Sequence, residues 1–246
     1  MKKTLFSLFA FAAGLFAFTS SAATETINFN QKISGLEVNA GIKVVYQPTN
    51  GSTSTINITG SAERIDNVDI RIEKSTLVIS PKRNRSSLSN RDVKGVVVTL
   101  SAPATIDEFE VQSGATLNVT KPYTVTTTDI SIEANAGATA SFVKLDCKKC
   151  EFESNAGATI NIDRLTAQKA ELEANAGATI KISHASTQNI ECEVNAAGKI
   201  KIEGGSSKRG SFEANAGGSI QASEFAVNSS SIDKSAGGSI KIKTID

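Results

Sequence analysis

The chain has 246 residues and nearly balanced charges, with 26 lysine and arginine residues against 25 aspartate and glutamate residues. A near-neutral chain with interspersed signs gives no electrostatic reason to expect nucleic acid or an anionic lipid surface as a partner. Tryptophan is absent and tyrosine occurs twice. This scarcity disfavours sugar-cleaving enzymes, whose clefts usually contain aromatic side chains.

The first 22 residues have the pattern of a secretory signal peptide. Lys2 and Lys3 precede an apolar run over residues 5–18, and small residues lead to a cleavage signal after Ala22. The run is too short to span a bilayer, and no later apolar segment of about 20 residues follows, so no integral membrane segment is expected. We therefore expect residues 1–22 to be cleaved and residues 23–246 to be exported to the periplasm, the outer cell surface or the medium.

Residues 23–108 predict β-strands of irregular spacing. Apolar and polar residues alternate in STINITGS from Ser54 and in VDIRIE from Val68, as in strands with one buried face. Residues 81–92 are charged and poor in apolar side chains, which indicates a protruding loop. Its basic residues are candidates for ligand binding: Lys82, Arg83, Arg85 and Arg91.

Residues 109–246 contain a repeat of 20 residues. The first residues of its six regular copies are Ile132, Phe152, Leu172, Cys192, Phe212 and Ile232, and a looser copy begins at Phe109. A fixed period of this length indicates a stacked repeat architecture. Within a copy, alternation breaks at Asn-Ala-Gly and then resumes, which predicts strand, turn and strand with no helix between them.

These patterns predict an all-β fold, a single-stranded right-handed parallel β-helix of the pectin-lyase-like type. We expect one domain over residues 23–246, with about 20 residues per coil and irregular coils over residues 23–108. Stacking would place equivalent residues in columns with a spacing of about 4.8 Å. The predicted inward columns are Ile132, Phe152, Leu172, Cys192, Phe212 and Ile232; Ala140, Ile160, Ile180, Ile200, Ile220 and Ile240; and Leu145, Leu165, Phe225 and Ile245.

A corner column of asparagines is also predicted. Its members are Asn135, Asn155, Asn175, Asn195 and Asn215. Asparagine tolerates left-handed backbone, and its amide can bond to the copy above it. The glycine two positions later, such as Gly137, would supply a positive φ for the same bend.

The order of these features resembles that of a known family. An N-terminal strand set, the segment SAPATIDEFEVQSGAT from Ser101 and serial glycine-containing coils are similar to the autotransporter-adhesin head GIN domain, over roughly residues 27–246. Members of that family carry Ser-Gly-Ser-Gly-like corners, whereas Asn-Ala-Gly-Ala-Thr dominates here. The resemblance implies a right-handed β-helix on an exported bacterial protein with an adhesin-like role, and it transfers no active site.

The three cysteines are Cys147, Cys150 and Cys192. The spacing of the first two permits a local disulfide in an exported chain, or two inert thiols. Redox chemistry is disfavoured because no helical pattern follows the Cys-x-x-Cys segment. Cys192 occupies the repeat position of Phe152 and Leu172, which predicts a buried thiol that packs as a small apolar group.

One column of the repeat is acidic. It comprises Glu110, Glu133, Glu153, Glu173, Glu193, Glu213 and Asp233. Carboxylates stacked on successive coils repel one another and could share a divalent cation, so Glu153, Glu173 and Glu193 are candidate calcium ligands. The alternative is a solvated strand face whose repulsion is screened by salt and nearby lysines. No other cofactor is indicated.

The sequence therefore predicts a non-catalytic binding or structural module of the cell envelope or cell surface, with an unidentified polysaccharide or protein ligand. The alternative is a polysaccharide lyase or glycosidase, because β-helices also carry those enzymes. We assign no catalytic residue, and we expect His184, the one histidine, to lie on the surface. Lys234, Lys241 and Lys243 in the last copy predict a solvated end that does not join filaments.

Overall fold

The computed structural model describes residues 23–83, 92–125 and 129–245. The signal peptide predicted over residues 1–22 lies outside this part of the chain. The elements in chain order are β1 (Ala23–Phe29), β2 (Gly35–Val38), β3 (Lys43–Thr49), β4 (Ser54–Gly60), α1 (Ala62–Ile65), β5 (Val68–Glu73), β6 (Thr76–Pro81), β7 (Val97–Pro103), β8 (Glu108–Val111), β9 (Thr116–Val119), β10 (Tyr123–Val125), β11 (Ile130–Ala134), β12 (Thr139–Phe142), β13 (Leu145–Ser154), β14 (Thr159–Ala174), β15 (Thr179–Val194), β16 (Lys199–Ile202), β17 (Gly205–Ala214), β18 (Ser219–Lys234) and β19 (Ser239–Thr244). No helix in the described ranges is long and apolar enough to cross a bilayer.

The regular part is a β-solenoid in which each residue pairs with the residue 20 positions later. In β14, three segments pair in parallel with β15, namely 159–162, 164–167 and 169–174. We call the corresponding positions of every coil face 1, face 2 and face 3, respectively. Asp163 and Gln168 lie at the bends between faces and have no partner in the ladder. The predicted coil of about 20 residues is confirmed.

The predicted inward columns are confirmed except at the last coil. Residues from Ile132 to Phe212 in the first column and from Ala140 to Ile220 in the second are buried. Ile232 is 49% exposed because no further coil covers its strand. The predicted placement of Ile245 in the third inward column is wrong. A register shift after Ala222 pairs Val227 with Thr244, so Ile245 does not stack on Phe225 and is exposed.

The N-terminal coils do not stack in chain order. β2 pairs in parallel with β8 on one side and with β6 on the other, although β6 follows it by some 40 residues. β3 lies between β9 and β7 in the same way. Antiparallel strands then cover this end of the solenoid: β5 pairs with β6, β4 pairs with β7, and β1 pairs with β4. The irregular spacing of residues 23–108 therefore reflects a closed end of the stack.

Both tyrosines belong to the core where these N-terminal coils meet the regular ones. The rings of Tyr46, Phe109, Tyr123 and Phe142 pack with centroid separations of 5.2–6.5 Å. The Tyr46 hydroxyl donates to the Pro103 carbonyl at 2.7 Å, and the Tyr123 hydroxyl donates to the Ile106 carbonyl. Burial raises the pKa of both phenols. The two rings are thus core residues and are not available on the surface.

The corner between face 3 and face 1 is a tight turn with two left-handed residues. In one copy Ala136 has φ 52° and Gly137 has φ 72°, and the Ala138 N–H donates to the Asn135 carbonyl at 3.2 Å. Two positive φ values closed by this bond are typical of a type I′ turn. The predicted glycine role is confirmed, but the alanine before it is equally left-handed. In the fourth copy Ala197 takes the glycine position with φ 62°.

Replacement of Ala197 with glycine should stabilise the protein. A left-handed alanine costs about 1–2 kcal/mol, and the added freedom of the unfolded glycine chain offsets about 0.4–1 kcal/mol of that gain. Gly177→Ala is the reciprocal test, because an added Cβ there meets nothing within 4 Å and only the φ of 73° opposes it. We expect urea unfolding to give a higher free energy of unfolding for Ala197→Gly and a lower one for Gly177→Ala. Equal stabilities would contradict the left-handed assignment.

Ser154 is a second weak point in the repeat. Its position is alanine or valine in most other coils, its side chain is fully buried, and its Oγ has no hydrogen-bond partner. A buried unsatisfied hydroxyl costs about 1–3 kcal/mol, so Ser154→Ala should raise the free energy of unfolding by about 1 kcal/mol. The control is Ser131→Ala on an exposed position, which should change it by less than about 0.5 kcal/mol. A destabilised Ser154→Ala variant would show that the hydroxyl has a partner.

Candidate functional site

The acidic column predicted from the repeat is present on face 3. Glu153 pairs with Glu173, and Glu173 pairs with Glu193, on consecutive coils. The in-register column also includes Glu37, Glu110, Glu133, Glu213 and Asp233. Carboxylates therefore project from the same position of every coil along this face.

The glutamates of this column are tied to the corner that follows each of them. Glu173 Oε1 accepts a hydrogen bond from Asn175 Nδ2 at 2.6 Å, and the same bond recurs in the neighbouring coils at 2.6–2.8 Å. Asn175 Nδ2 also donates to Asn155 Oδ1 at 3.2 Å on the coil below. The predicted asparagine column is confirmed. The Glu–Asn bond was missed, although Glu-x-Asn recurs in the sequence and could have indicated it.

Lysines neutralise part of face 3. Lys169 Nζ lies 2.5 Å from Glu171 and 3.2 Å from Glu191, and Lys149 Nζ lies 3.0 Å from Glu171. The hydrogen bond from Lys169 lowers the pKa of Glu171. At Glu110, closer to the N-terminus, the pKa is instead raised, by burial and by the carboxylates of Glu37 and Glu133. The ion pairs of Lys149 and Lys169 are open to solvent and contribute little stability individually.

The predicted basic loop is described only at its start. Lys82 and Arg83 are exposed, whereas Arg85 and Arg91 lie outside the described residues. Lys82 Nζ donates to the Asp66 carbonyl at 2.7 Å. At the other end of the loop, Asp92 forms an ion pair of 3.2 Å with Arg64. Both ends of the segment are therefore fixed to the covering strands near α1.

Face 2 carries a groove that sequence reasoning missed. It has a volume of about 420 Å³ and runs along the solenoid axis from Cys147 to Asn228. Its floor consists of small side chains, Cys147, Ala167, Thr187 and Ser207, and its rims consist of hydroxyl, amide and lysine side chains. The column of small residues is not a distinctive signal for it, because small inward columns also occur at Ala134, Ser154 and Ala174 and at Ala138, Ala158 and Ala178.

One protein family matches nearly the whole of this chain. The model of the family described as "putative auto-transporter adhesin, head GIN domain" matches residues 32–163 and 150–246. The chain belongs to this family. The two matched ranges overlap within the repeat, as expected where one repeat unit can be aligned at several coils. No curated protein matches the sequence.

Solved structures share the fold of this GIN-domain chain. A "putative adhesin" from Bacteroides fragilis aligns with a TM-score of 0.70 at 18% identity, covering 92% of this chain and 99% of that one. A "putative adhesin" from Parabacteroides distasonis aligns with a TM-score of 0.68 at 15% identity, covering 92% and 98%. A "putative lipid binding protein" from the same organism gives 0.65 at 13%, covering 92% and 97%. At these identities the likeness concerns the fold.

The cysteines and the histidine of the GIN-domain chain are not assembled into a site. All three cysteines are free thiols, and Cys192 is buried as predicted. Burial raises the pKa of the Cys192 thiol. The pKa of the Cys150 thiol is raised mainly by a hydrogen bond with Cys147 and also by burial. Neither thiol is thereby activated as a nucleophile. His184 is exposed.

The calcium site at Glu153, Glu173 and Glu193 stays a prediction. Within the described ranges no group of three or more His, Cys, Asp or Glu side chains could hold a metal ion. One oxygen of each candidate carboxylate already accepts the asparagine amide. The observed contacts therefore give each glutamate a structural role at the corner, and this role does not depend on a bound calcium ion.

Melting of the GIN-domain protein tests the calcium hypothesis. If these glutamates bind calcium, millimolar calcium should raise Tm relative to chelator by mass action, and Glu173→Gln should abolish that rise. Glu203→Gln serves as the control, because Glu203 lies outside the column and pairs with Lys181 and Lys201. The same Tm in calcium and in chelator would contradict calcium binding.

Proposed function

We propose that this GIN-domain protein is a non-catalytic binding or structural module of the cell envelope or cell surface. The observation that carries the proposal is the repetition of polar groups at one position per coil, as in the exposed hydroxyl column of Thr166, Ser186 and Ser206 on face 2. Repeated identical groups offer the same contact many times to an extended ligand and so favour multivalent binding. Catalysis instead requires one position at which a carboxylate pair or another reactive group is set apart.

Family membership and the N-terminal sequence support export. The family described as auto-transporter adhesin concerns surface proteins, and residues 1–22 have the pattern of a secretory signal. We propose the periplasm, the outer surface or the medium as the location of the mature chain. Fractionation of native cells with a specific antibody tests this, and recovery of uncleaved protein in the cytoplasm would contradict it.

A polysaccharide screen separates binding from the competing enzymatic function. We expect retention of the protein on immobilised acidic or neutral polysaccharide without any shortening of the chains. Cleavage that a single substitution on one face abolishes would defeat the proposal and identify a carbohydrate-active enzyme. The burial of Tyr46 and Tyr123 in the core supports the binding outcome, because neither ring can provide a surface platform for sugar.

The same screen tests the basic loop as a binding surface. Replacement of Lys82, Arg83, Arg85 and Arg91 with alanine should weaken retention on acidic polysaccharide and reduce its dependence on salt. The matched control removes four exposed lysines elsewhere, Lys43, Lys121, Lys199 and Lys241. Equal losses in both variants would reduce the effect to net charge and exclude a specific role for the loop.

A further inference from the structure

The groove on face 2 has the dimensions of a site for an extended chain. It crosses five coils, about 19 Å along the axis at about 4.8 Å per coil, and has a volume of about 420 Å³. One rim carries the hydroxyls of Thr166, Ser186 and Ser206. The other carries Gln168, Gln188, Lys208 and Asn228. Each of the three central coils therefore adds one residue to each rim of the groove.

The rim side chains retain their hydrogen-bonding capacity. In the part of the chain that the structure describes, the hydroxyls and amides of the rims form no hydrogen bond with other protein groups. The corner amides differ, because Asn155, Asn175 and Asn195 each donate to a glutamate. Amides of the same kind are thus occupied at the corner and unoccupied beside the groove. Hydroxyl and amide groups both donate and accept, so they suit a ligand with groups of both kinds.

Thr187 lies in the floor of the groove, at an inward position of the repeat. Its side chain is 8% exposed, and its Oγ1 is buried without a hydrogen-bond partner. Buried polar groups are nearly always satisfied, so an unpartnered hydroxyl in the floor requires an explanation. The neighbouring floor hydroxyl is satisfied, since Ser207 Oγ donates to the Arg209 carbonyl at 2.8 Å. The Thr187 oxygen has almost no surface accessible to solvent, so its missing bond is a local cost of the fold, and a ligand in the groove would contact the rims instead.

The backbone of face 2 leaves recognition to side chains. Residues 145–147, 165–167, 185–187, 205–207 and 225–227 pair in register with one another, so no strand edge opens into the groove. A peptide therefore cannot bind there by adding a strand. Lys208 is the one charged residue of the lining, which disfavours a highly charged ligand.

We infer that the face 2 groove binds an uncharged polysaccharide chain along the solenoid axis. The inference rests on the proposed binding function and assigns it a site and a ligand class. Sugar hydroxyls donate and accept as the rim groups do, and a polymer with repeating units presents them at regular intervals along the rims.

Retention on immobilised neutral polysaccharides tests the inference. The double variant Gln168→Ala and Gln188→Ala should bind about tenfold more weakly than the wild type, which corresponds to about 1.4 kcal/mol. Thr166→Ala with Ser206→Ala removes two hydroxyls of the opposite rim and should weaken binding in the same direction. Gln221→Ala is the matched control, since Gln221 is exposed on face 1, and it should bind as the wild type does. Melting curves verify that each variant is folded.

The possible outcomes separate the site from the function. Retention of the wild type that both groove variants leave unchanged would overturn the groove while the binding function stands. Binding of the protein to an acidic polymer or to a protein ligand, with no retention on any neutral polysaccharide, would overturn the groove assignment in the same way. So would competition by a peptide for the groove. Cleavage of the polymer would overturn the proposed function itself. Weakening by both groove variants, but not by Gln221→Ala, supports the inference.

Discussion

Hydrogen bonding between residues 20 positions apart holds successive coils together, and the remaining features of the molecule depend on it. The ladder links Ile160 to Ile180 and Leu172 to Cys192 without a shift, so each difference between copies is confined to its own column. The side chain at an inward position has, above and below it, the side chains at the same repeat position of the two adjacent coils. Side-chain volume in the core is therefore set by one column at a time, and a single charged or unsatisfied residue affects two adjacent coils.

The corner has to continue this ladder through a reversal of the chain. Asn155 N–H donates to Ala134 on the preceding coil, and Gly157 N–H donates to Ala176 on the following coil, at 2.9 and 3.1 Å. Two left-handed residues allow the corner to bond first to the preceding coil and then to the following one. The Glu–Asn bond fixes the side chains where the chain enters the corner. The acidic column is thus required by the corner. The lysines of face 3 pair with Glu171 and Glu191, which lie outside this column.

Periodicity was sufficient to predict the coils because a strict repeat has one simple stacking solution. It located the core at Ile180 and the corner at Asn175 from the sequence alone. It could not predict that β6 and β7 stack outside β2 and β3, since the repeat is too weak there to fix the order of coils. It also failed at Ile245, where a register shift interrupts the period. The groove was missed because small inward residues occur in several columns of the repeat, so those at Cys147 and Thr187 do not stand out.

The contrast between face 3 and face 2 separates stability from recognition within one repeat unit. On face 3 the polar groups are used internally, by amide–carboxylate bonds and by ion pairs such as Lys169 with Glu171. A ligand there would have to break those contacts before it could form its own. On face 2 the rims around Thr187 form none, so a ligand needs only to displace water from them. Because the ladder repeats both arrangements on every coil, a longer polymer gains contacts in proportion to the number of coils it crosses, and affinity follows from length without any single strong site.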